Sequence, residues 1–188
     1  ILIFGMPQSL LYYFPRKETH EHPLLIKQTW TILLFSSLMV MAIFWLSSQI
    51  IDTQHLKEYL VLLGIYTSLM IFVMPIQNLL TLEGKISTAM WLMVFFTIID
   101  LAVLPTAAWL NPTTLGIVHG IIVAALLKAI MVLFHVYTTY FTKEISGNSY
   151  IKEQLAYGIP VGLTAMVYVI NVNVDKYLVG LFFSSSVF

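Results

Sequence analysis

The sequence predicts an all-α protein, a polytopic bundle of about six transmembrane helices. Hydrophobic residues make up 59% of the 188 residues and charged residues 10%, whereas an ordinary soluble domain carries about 25% charged residues. The apolar residues lie in long runs that show neither helical nor strand periodicity, as expected for helices that are apolar all round. Because so few charges cannot cover a soluble domain of this size, we expect lipid to cover the apolar surface.

A helix that crosses a bilayer needs about 20 apolar residues. Six runs approach or exceed this length, and the first is expected to be cut short at its start. The predicted spans cover residues 1–14, 30–48, 59–80, 86–110, 115–141 and 155–183. The chain begins in apolar sequence and without an initiator Met, so we expect it to be an internal fragment of a longer protein.

Turn and capping residues separate the runs. Residues 15–23 are charged and contain two prolines, Gly84 is expected to end a helix in a tight hairpin, and Asn111-Pro112 with Thr113 is typical of a turn followed by a helix cap. Three prolines inside the spans can each break a helix: Pro75, Pro105 and Pro160. Such breaks often mark transporter hinges, but proline is also simply commoner in membrane helices.

Basic residues set the expected orientation. The loops after the first, third and fifth spans hold Arg16, Lys17, Lys27, Lys85, Lys143 and Lys152, whereas the loops after the second and fourth spans hold only Lys57. By the positive-inside rule the first group of loops lies in the cytoplasm. Four tryptophans bracket spans two and four, which favours two interfacial belts, with packing between helices as the alternative: Trp30, Trp45, Trp91 and Trp109.

Two charged residues fall deep inside predicted spans. Asp100 lies in span four and Lys128 in span five, and His135 follows Lys128 by seven residues on the same helix face. Charges at this depth are costly and usually face a cavity or a partner. Two interpretations stay open: a polar cavity for an anionic or ion-coupled solute, or an Asp100–Lys128 ion pair that only fixes two helices together.

Polar residues also form a stripe along span six. Thr164, Tyr168, Asn171 and Asp175 follow one another at spacings of four, three and four, while Asn173 and Lys176 lie on a neighbouring face. A lipid-facing helix would not carry such a stripe, so it is expected to face the bundle interior or water. The alternative is that Asp175 and Lys176 only anchor the helix end at the interface.

Several functional classes are disfavoured. Nine basic residues balance nine acidic ones, which argues against a nucleic-acid partner, and the absence of cysteine excludes thiolate chemistry. Nucleotide-binding, hydrolase and zinc-protease motifs are missing, so we expect neither an enzyme nor a cofactor or metal. His20-Glu21-His22 lies in a charged loop and is expected to be solvated.

Two stretches carry a resemblance to a known family. Residues 5–17 (GMPQSLLYYFPRK) and residues 157–163 (YGIPVGL), continued by residues 171–180 (NVNVDKYLVG), resemble the second and seventh helices of Wzx-like oligosaccharide flippases of bacterial polysaccharide biosynthesis. That family is related to the MATE drug exporters and the lipid II flippase. Pro75 followed by residues 82–85 is similar to the loop after the family's fourth helix.

The resemblance implies a protein of twelve or more helices in two six-helix lobes. Residues 1–154 would form helices two to six of the first lobe, and residues 155–188 the first helix of the second. In the bacterial inner membrane, such a protein would move an undecaprenyl-pyrophosphate-linked oligosaccharide between leaflets by alternating access.

The resemblance also suggests roles for the intramembrane polar residues. The expected pyrophosphate-binding residues are Lys128, Lys176 and Arg16, the expected sugar-binding residues are Tyr168, Asn171 and Asn173, and the expected residues for coupling to H⁺ or Na⁺ are Asp100, His135 and Asp175. A MATE-type cation-coupled drug exporter is the first alternative. A glycan polymerase or ligase is disfavoured by the short outer loops, and a purely structural scaffold by the charges in the hydrocarbon.

Overall fold

Long helices connected by short turns form the described part of the molecule. The computed structural model describes residues 5–142 and 149–182, with side chains described to residue 174. No strand occurs in these residues. The α-helices are α1 (Met6–Tyr13), α2 (His22–Ile50), α3 (Gln54–Val73), α4 (Pro75–Leu82), α5 (Ile86–Leu110), α6 (Thr114–Val136) and α7 (Ile151–Phe182). A 3₁₀ turn (Phe14–Arg16) follows α1, and a π-helical turn (Tyr137–Phe141) extends α6.

Five helical stretches of the described residues are long and apolar enough to cross a membrane. They cover residues 22–50, 54–82, 86–110, 114–141 and 151–174. This arrangement confirms the predicted transmembrane helix bundle. The first predicted span appears as α1, whose eight residues are too few to cross a bilayer; residues 1–4 lie outside the described residues.

The start of α2 differs from the prediction. The helix begins at His22, eight residues before the expected start at Trp30, because Pro23 suits a first helical turn and the side chains of Leu25 and Ile26 are fully buried. Trp30 therefore lies two turns inside the helix and is only 3% exposed, so it packs between helices. Trp45, Trp91 and Trp109 are exposed on the apolar surface, as an interfacial belt requires.

The predicted turn residues have the expected local structure. Gly84 adopts a φ of 74°, a left-handed conformation in which glycine ends α4 at no steric cost. The hydroxyl of Thr113 accepts a hydrogen bond of 3.1 Å from the backbone N–H of Gly116, which caps α6. Of the three prolines, Pro75 separates α3 from α4, whereas Pro105 and Pro160 lie within continuous helices.

Small residues allow the helices to approach closely. The bundle places α2 against α3, α3 against α6 and α6 against α5, with α1 between α7, α2 and α4. Ser37 and Ser68 join α2 and α3 by reciprocal hydrogen bonds of 3.2 and 3.1 Å from each hydroxyl to the other residue's carbonyl. A Cβ at Gly120 of α6 would lie 2.5 Å from the Cβ of Ala107 of α5, so these two helices need glycine at this crossing.

The loops expected in the cytoplasm lie together at one end of the bundle. The Tyr140 hydroxyl, at the end of the fifth predicted span, donates a hydrogen bond of 2.5 Å to Glu83 in the loop after the third. Lys17, after the first span, forms an ion pair of 3.4 Å with Glu153 of α7. The loops that carry most of the basic residues therefore share a single end, as the positive-inside prediction requires.

The α5–α6 crossing gives a test of this packing. We expect Gly120→Ala to destabilise the protein by about 1–3 kcal/mol, the usual range for an overpacked core. Ala107→Gly should restore part of that loss in the double variant because it removes the opposing methyl group. Denaturant titration of the detergent-solubilised protein measures both changes, and a Gly120→Ala variant as stable as the parent would contradict the close approach.

Candidate functional site

The two charged residues inside the membrane form an ion pair. The Lys128 ammonium lies 2.6 Å from each carboxylate oxygen of Asp100, so it donates to both at once. Asp100 follows the start of α5 by 14 residues, and Lys128 precedes the end of the π-helical turn by 13. At 1.5 Å per residue both groups lie about 20 Å from the ends of their helices that adjoin the basic loops. The pair is thus well inside the hydrocarbon, between α5 and α6.

The two partners differ in their surroundings. Only 10% of the Lys128 side chain is exposed, whereas 42% of the Asp100 side chain is. The ammonium also lies 5.8 Å from the centre of the Phe96 ring, whose face favours a cation. Lys128 is thus held by the protein, and Asp100 is the partner whose side chain remains more accessible.

A small cavity adjoins the ion pair. It has a volume of about 250 Å³ and lies among α3, α5 and α6. Its lining includes the ion pair itself and the Tyr66 side chain of α3 with aliphatic neighbours above and below. Asp100 and Lys128 therefore join two helices, as the second interpretation of the sequence requires, and the pair also borders a cavity; the binding of a solute there stays a prediction.

His135 does not join this group. It lies on α6 seven residues after Lys128, a separation of about 10 Å along the helix axis. Its Nε2 atom is buried and has no hydrogen-bond partner among the described residues, and its ring lies against the edge of Tyr140, with 6.5 Å between ring centres. Asp100 and His135, which we expected to act together in ion coupling, therefore lie in separate environments.

The polar stripe of α7 lies on an exposed part of the helix. Tyr168 is 67% exposed and both Thr164 and Asn171 are exposed, because α7 contacts the rest of the bundle chiefly through α1. The amide of Asn173 donates a hydrogen bond of 2.8 Å to the carbonyl of Val169 within the same helix. The stripe thus does not face the interior of the described bundle. Asp175 and Lys176 belong to α7, but their side chains lie outside the described residues.

Arg16 lies apart from the ion pair. It ends the 3₁₀ turn after α1, where its guanidinium donates a hydrogen bond of 2.7 Å to the Tyr12 carbonyl and lies 3.7 Å from the centre of the Tyr12 ring. Tyr12 stacks in turn on Tyr157 of α7, with ring centres 4.4 Å apart. Arg16 is therefore part of the α1–α7 contact at the end of the bundle that holds the basic loops.

Gly5 determines how closely α1 and α7 approach. It has a φ of 59°, and a Cβ at this position would lie 2.3 Å from the Gly158 carbonyl oxygen. Only glycine combines this conformation with this distance. In this structure, Gly158 thus serves close packing of two backbones.

A buried polar network fixes the start of α7 to α2. Gln154 is fully buried, and its side-chain carbonyl accepts a hydrogen bond of 3.2 Å from the Thr29 hydroxyl while its amide donates one of 3.3 Å to the Leu25 carbonyl. The Gln28 side-chain carbonyl accepts a hydrogen bond of 2.9 Å from the backbone N–H of Tyr150. Gln28, Thr29, Tyr150, Gln154 and Glu21 are together called the α7 anchor below.

Charged groups stabilise the part of the α7 anchor around Tyr150 and Glu21. The Tyr150 hydroxyl donates a short hydrogen bond to a carboxylate oxygen of Glu21, and the Lys17 ammonium lies 3.8 Å from the centre of the Tyr150 ring. The hydrogen bond lowers the pKa of the Glu21 carboxyl below its ordinary 4.5. The same hydrogen bond is the main reason that the pKa of the Tyr150 hydroxyl rises to about 12, and burial is the second cause. The folded state thus favours an ionised Glu21 and a neutral Tyr150.

The sequence analysis did not identify the α7 anchor. One signal was present, because Gln28 and Thr29 follow Lys27 between apolar residues just before the second predicted span, and polar residues that become buried there need partners. Nothing local, however, connects them with Gln154, which lies 125 residues further along the chain than Thr29.

Comparison of the chain with known protein families, with characterised proteins and with solved structures finds no match.

The ion pair predicts a specific pattern of stabilities. We expect Lys128→Met to destabilise the protein by about 3 kcal/mol, because it leaves the Asp100 carboxylate without its counter-ion inside the membrane. Asp100→Asn in the same chain should recover most of that loss, since a neutral amide is far less costly there. Lys57→Met, in the first turn of α3, is the control.

Denaturant titration in detergent measures the free energy of unfolding of the parent, Lys128→Met, the double variant Asp100→Asn/Lys128→Met and Lys57→Met. A double variant no more stable than Lys128→Met alone would show that the pairing of these two charges contributes nothing to stability.

The α7 anchor predicts a dependence on pH. The folded state lowers the pKa of Glu21. The stability that ionised Glu21 contributes is therefore present above pH 4.5 and is lost as the pH falls through the lower pKa of the folded state. The folded state raises the pKa of Tyr150. The stability that neutral Tyr150 contributes is therefore complete below pH 10.0 and is lost as the pH rises through about 12. The anchor should therefore be most stable between those two limits.

Hydrogen exchange of the α7 amides tests this expectation. Tyr150→Phe should speed exchange in the first turns of α7 at neutral pH, while Tyr59→Phe at the other end of the bundle should not. If the Tyr150→Phe amides exchange as slowly as those of the parent, the hydrogen bond to Glu21 does not hold the helix start.

Proposed function

We propose that this chain is part of a transporter that moves an undecaprenyl-pyrophosphate-linked oligosaccharide across the bacterial inner membrane. The observation that carries this proposal is the Asp100–Lys128 ion pair beside a cavity in the middle of the bundle. A lysine at this depth is expensive, and such residues mark solute or ion pathways more often than they serve architecture.

The two charges suggest how binding and ion coupling are linked. While the ammonium of Lys128 donates to both oxygens of Asp100, it has little capacity left for a pyrophosphate. Protonation of Asp100, or its binding of a cation such as Na⁺, removes the competing charge and frees Lys128 for the anionic substrate. The greater exposure of Asp100 supports this order, because the ion can reach it first.

The exposed stripe on α7 supports a polar passage. Asn171 and Tyr168 offer amide and hydroxyl groups of the kind that bind sugars, on a helix long enough to cross the membrane. Hydrocarbon on this face would leave these groups unsatisfied. We propose that they line the path of the oligosaccharide, and that residues 1–154 and 155–188 belong to different lobes of the full transporter.

A MATE-type exporter of cationic drugs is the second candidate. The same exposure of the Asp100 carboxylate favours it, because an accessible acid within the membrane can bind a cation. The two candidates differ in the charge of the solute and therefore in which member of the pair binds it.

Deletion of the gene in the source organism, followed by complementation, tests the proposal. The deletion strain should accumulate lipid-linked glycan on the cytoplasmic leaflet and lose surface polysaccharide, and the parent gene should reverse both effects. Asp100→Asn/Lys128→Met should fold but restore surface glycan at least about tenfold less well, the loss expected when charged hydrogen bonds to the substrate disappear.

Expression-matched Lys57→Met, in the first turn of α3, should restore export fully. Full restoration by the double variant would show that the pair only joins helices. Normal surface glycan in the deletion strain, together with new sensitivity to cationic drugs, would contradict the flippase proposal and favour the drug exporter.

A further inference from the structure

An apolar groove opens on the membrane-facing surface at the cytoplasmic end of the bundle. It has a volume of about 520 Å³ and lies between α2, α3 and α6 with its π-helical extension. Trp30 and Leu34 of α2 form one side, Phe134 of α6 and Phe141 of the π-helical turn form the other, and Phe72 of α3 forms part of the floor. This groove is separate from the cavity at the ion pair, with which it shares no residue.

The length of the groove matches one leaflet of a bilayer. Along α6 and its extension it runs from Ile130 to Phe141, which at 1.5 Å per residue is about 16 Å. Half of the hydrocarbon core of a typical bilayer is about 15 Å thick. The groove therefore reaches from the cytoplasmic interface to roughly the middle of the membrane, the depth that one acyl chain of that leaflet occupies.

The π-helical turn shapes the cytoplasmic end of the groove. Tyr137 and Phe141 stack with ring centres 6.1 Å apart, so both rings form a continuous aromatic wall. A π-helical turn adds a residue to the helical repeat and often occurs at functional sites.

A lysine marks the mouth of the groove. Lys27 lies one turn before Trp30 and Thr31 on α2, and its ammonium lies 5.2 Å from the centre of the Phe141 ring. Within residues 5–142 and 149–174, no carboxylate lies within ion-pair distance of this ammonium. A cation placed at the cytoplasmic interface, above an apolar groove, complements an anionic headgroup attached to an acyl chain.

We infer that the groove binds an anionic phospholipid of the cytoplasmic leaflet, with one acyl chain between Trp30 and Phe134 and the phosphate at the Lys27 ammonium. The occupant is a phospholipid because the groove ends near mid-membrane, which suits an ordinary acyl chain. The positive-inside orientation places the mouth in the leaflet where anionic lipids face basic residues. This site differs from the proposed transport path, and its test does not depend on transport.

Tryptophan fluorescence can detect the bound chain. Trp30 lines the groove but is only 3% exposed, whereas the other three tryptophans are exposed to surrounding lipid. In a variant with Trp45→Phe, Trp91→Phe and Trp109→Phe, Trp30 is the sole emitter. The protein is reconstituted in phosphatidylcholine vesicles. One series contains increasing fractions of brominated phosphatidylglycerol and the other increasing fractions of brominated phosphatidylcholine, because bromine on the acyl chains quenches tryptophan on contact.

Brominated phosphatidylglycerol should quench Trp30 at a mole fraction about fivefold lower than brominated phosphatidylcholine, the factor expected for one lysine beside one anionic headgroup. Lys27→Gln should abolish that preference, whereas Lys57→Gln should leave it unchanged. A chain that retains Trp45 alone should respond equally to both lipids.

Equal quenching of Trp30 by the two lipids would overturn the inference, as would a preference that survives Lys27→Gln. Absence of quenching by either lipid would show that no chain enters the groove and would overturn it as well.

Discussion

The cost of a charge in hydrocarbon determines how α5 and α6 must sit. Neither Asp100 nor Lys128 is tolerable alone at about 15 Å or more from either end of its helix, the π-helical turn included, so each must have the other within hydrogen-bonding distance. That requirement sets both the rotation and the relative height of the two helices. The crossing of Gly120 with Ala107, nearer the end opposite the basic loops, then fixes how closely they approach.

Many hydroxyl groups inside the spans place no comparable demand on the bundle, although those of Ser37 and Ser68 do bond between helices. Thr67, Thr97 and Thr106 each donate to the carbonyl four residues earlier in their own helix, at 2.6–3.0 Å, and so are satisfied without a neighbour. A lysine or an aspartate has no such local solution. The few charged residues of the spans thus carry more information about helix pairing than the many polar ones.

This difference explains what the sequence could predict. The length of the apolar runs, Gly84 and Thr113 act locally, so the helices and their turns were predicted nearly as observed. The pairing of Asp100 with Lys128 was one of two open interpretations, because depth shows that a charge needs a partner but does not say which one.

Other features depend on contacts far apart in the chain. Trp30 was expected at an interface, with packing between helices as the alternative, but the helix begins eight residues earlier and the side chain is only 3% exposed. Gln154 has no neighbour in sequence that suggests Thr29 as its partner. The helix breaks at Pro75 but continues through Pro105 and Pro160, so proline alone did not predict where a break occurs.

The α7 helix differs most from the others in how it is held. At its start, Gln154 and Tyr150 hydrogen-bond to α2, and the Gly5–Gly158 contact brings it against α1. Beyond that contact, the residues of its polar stripe are exposed. Meanwhile α2 and α3 are joined by the reciprocal Ser37–Ser68 hydrogen bonds, and α5 and α6 by the ion pair.

Relative motion of rigid parts should occur where contacts are fewest. In the described residues that place is the far part of α7, not the interior of the bundle. A transporter built on this arrangement would keep the Asp100–Lys128 site within a rigid unit and change the access to it by moving α7 about its hydrogen-bonded start. In the proposed transporter the α7 anchor would be the pivot, a role that would account for polar groups buried at a position where apolar packing would otherwise suffice.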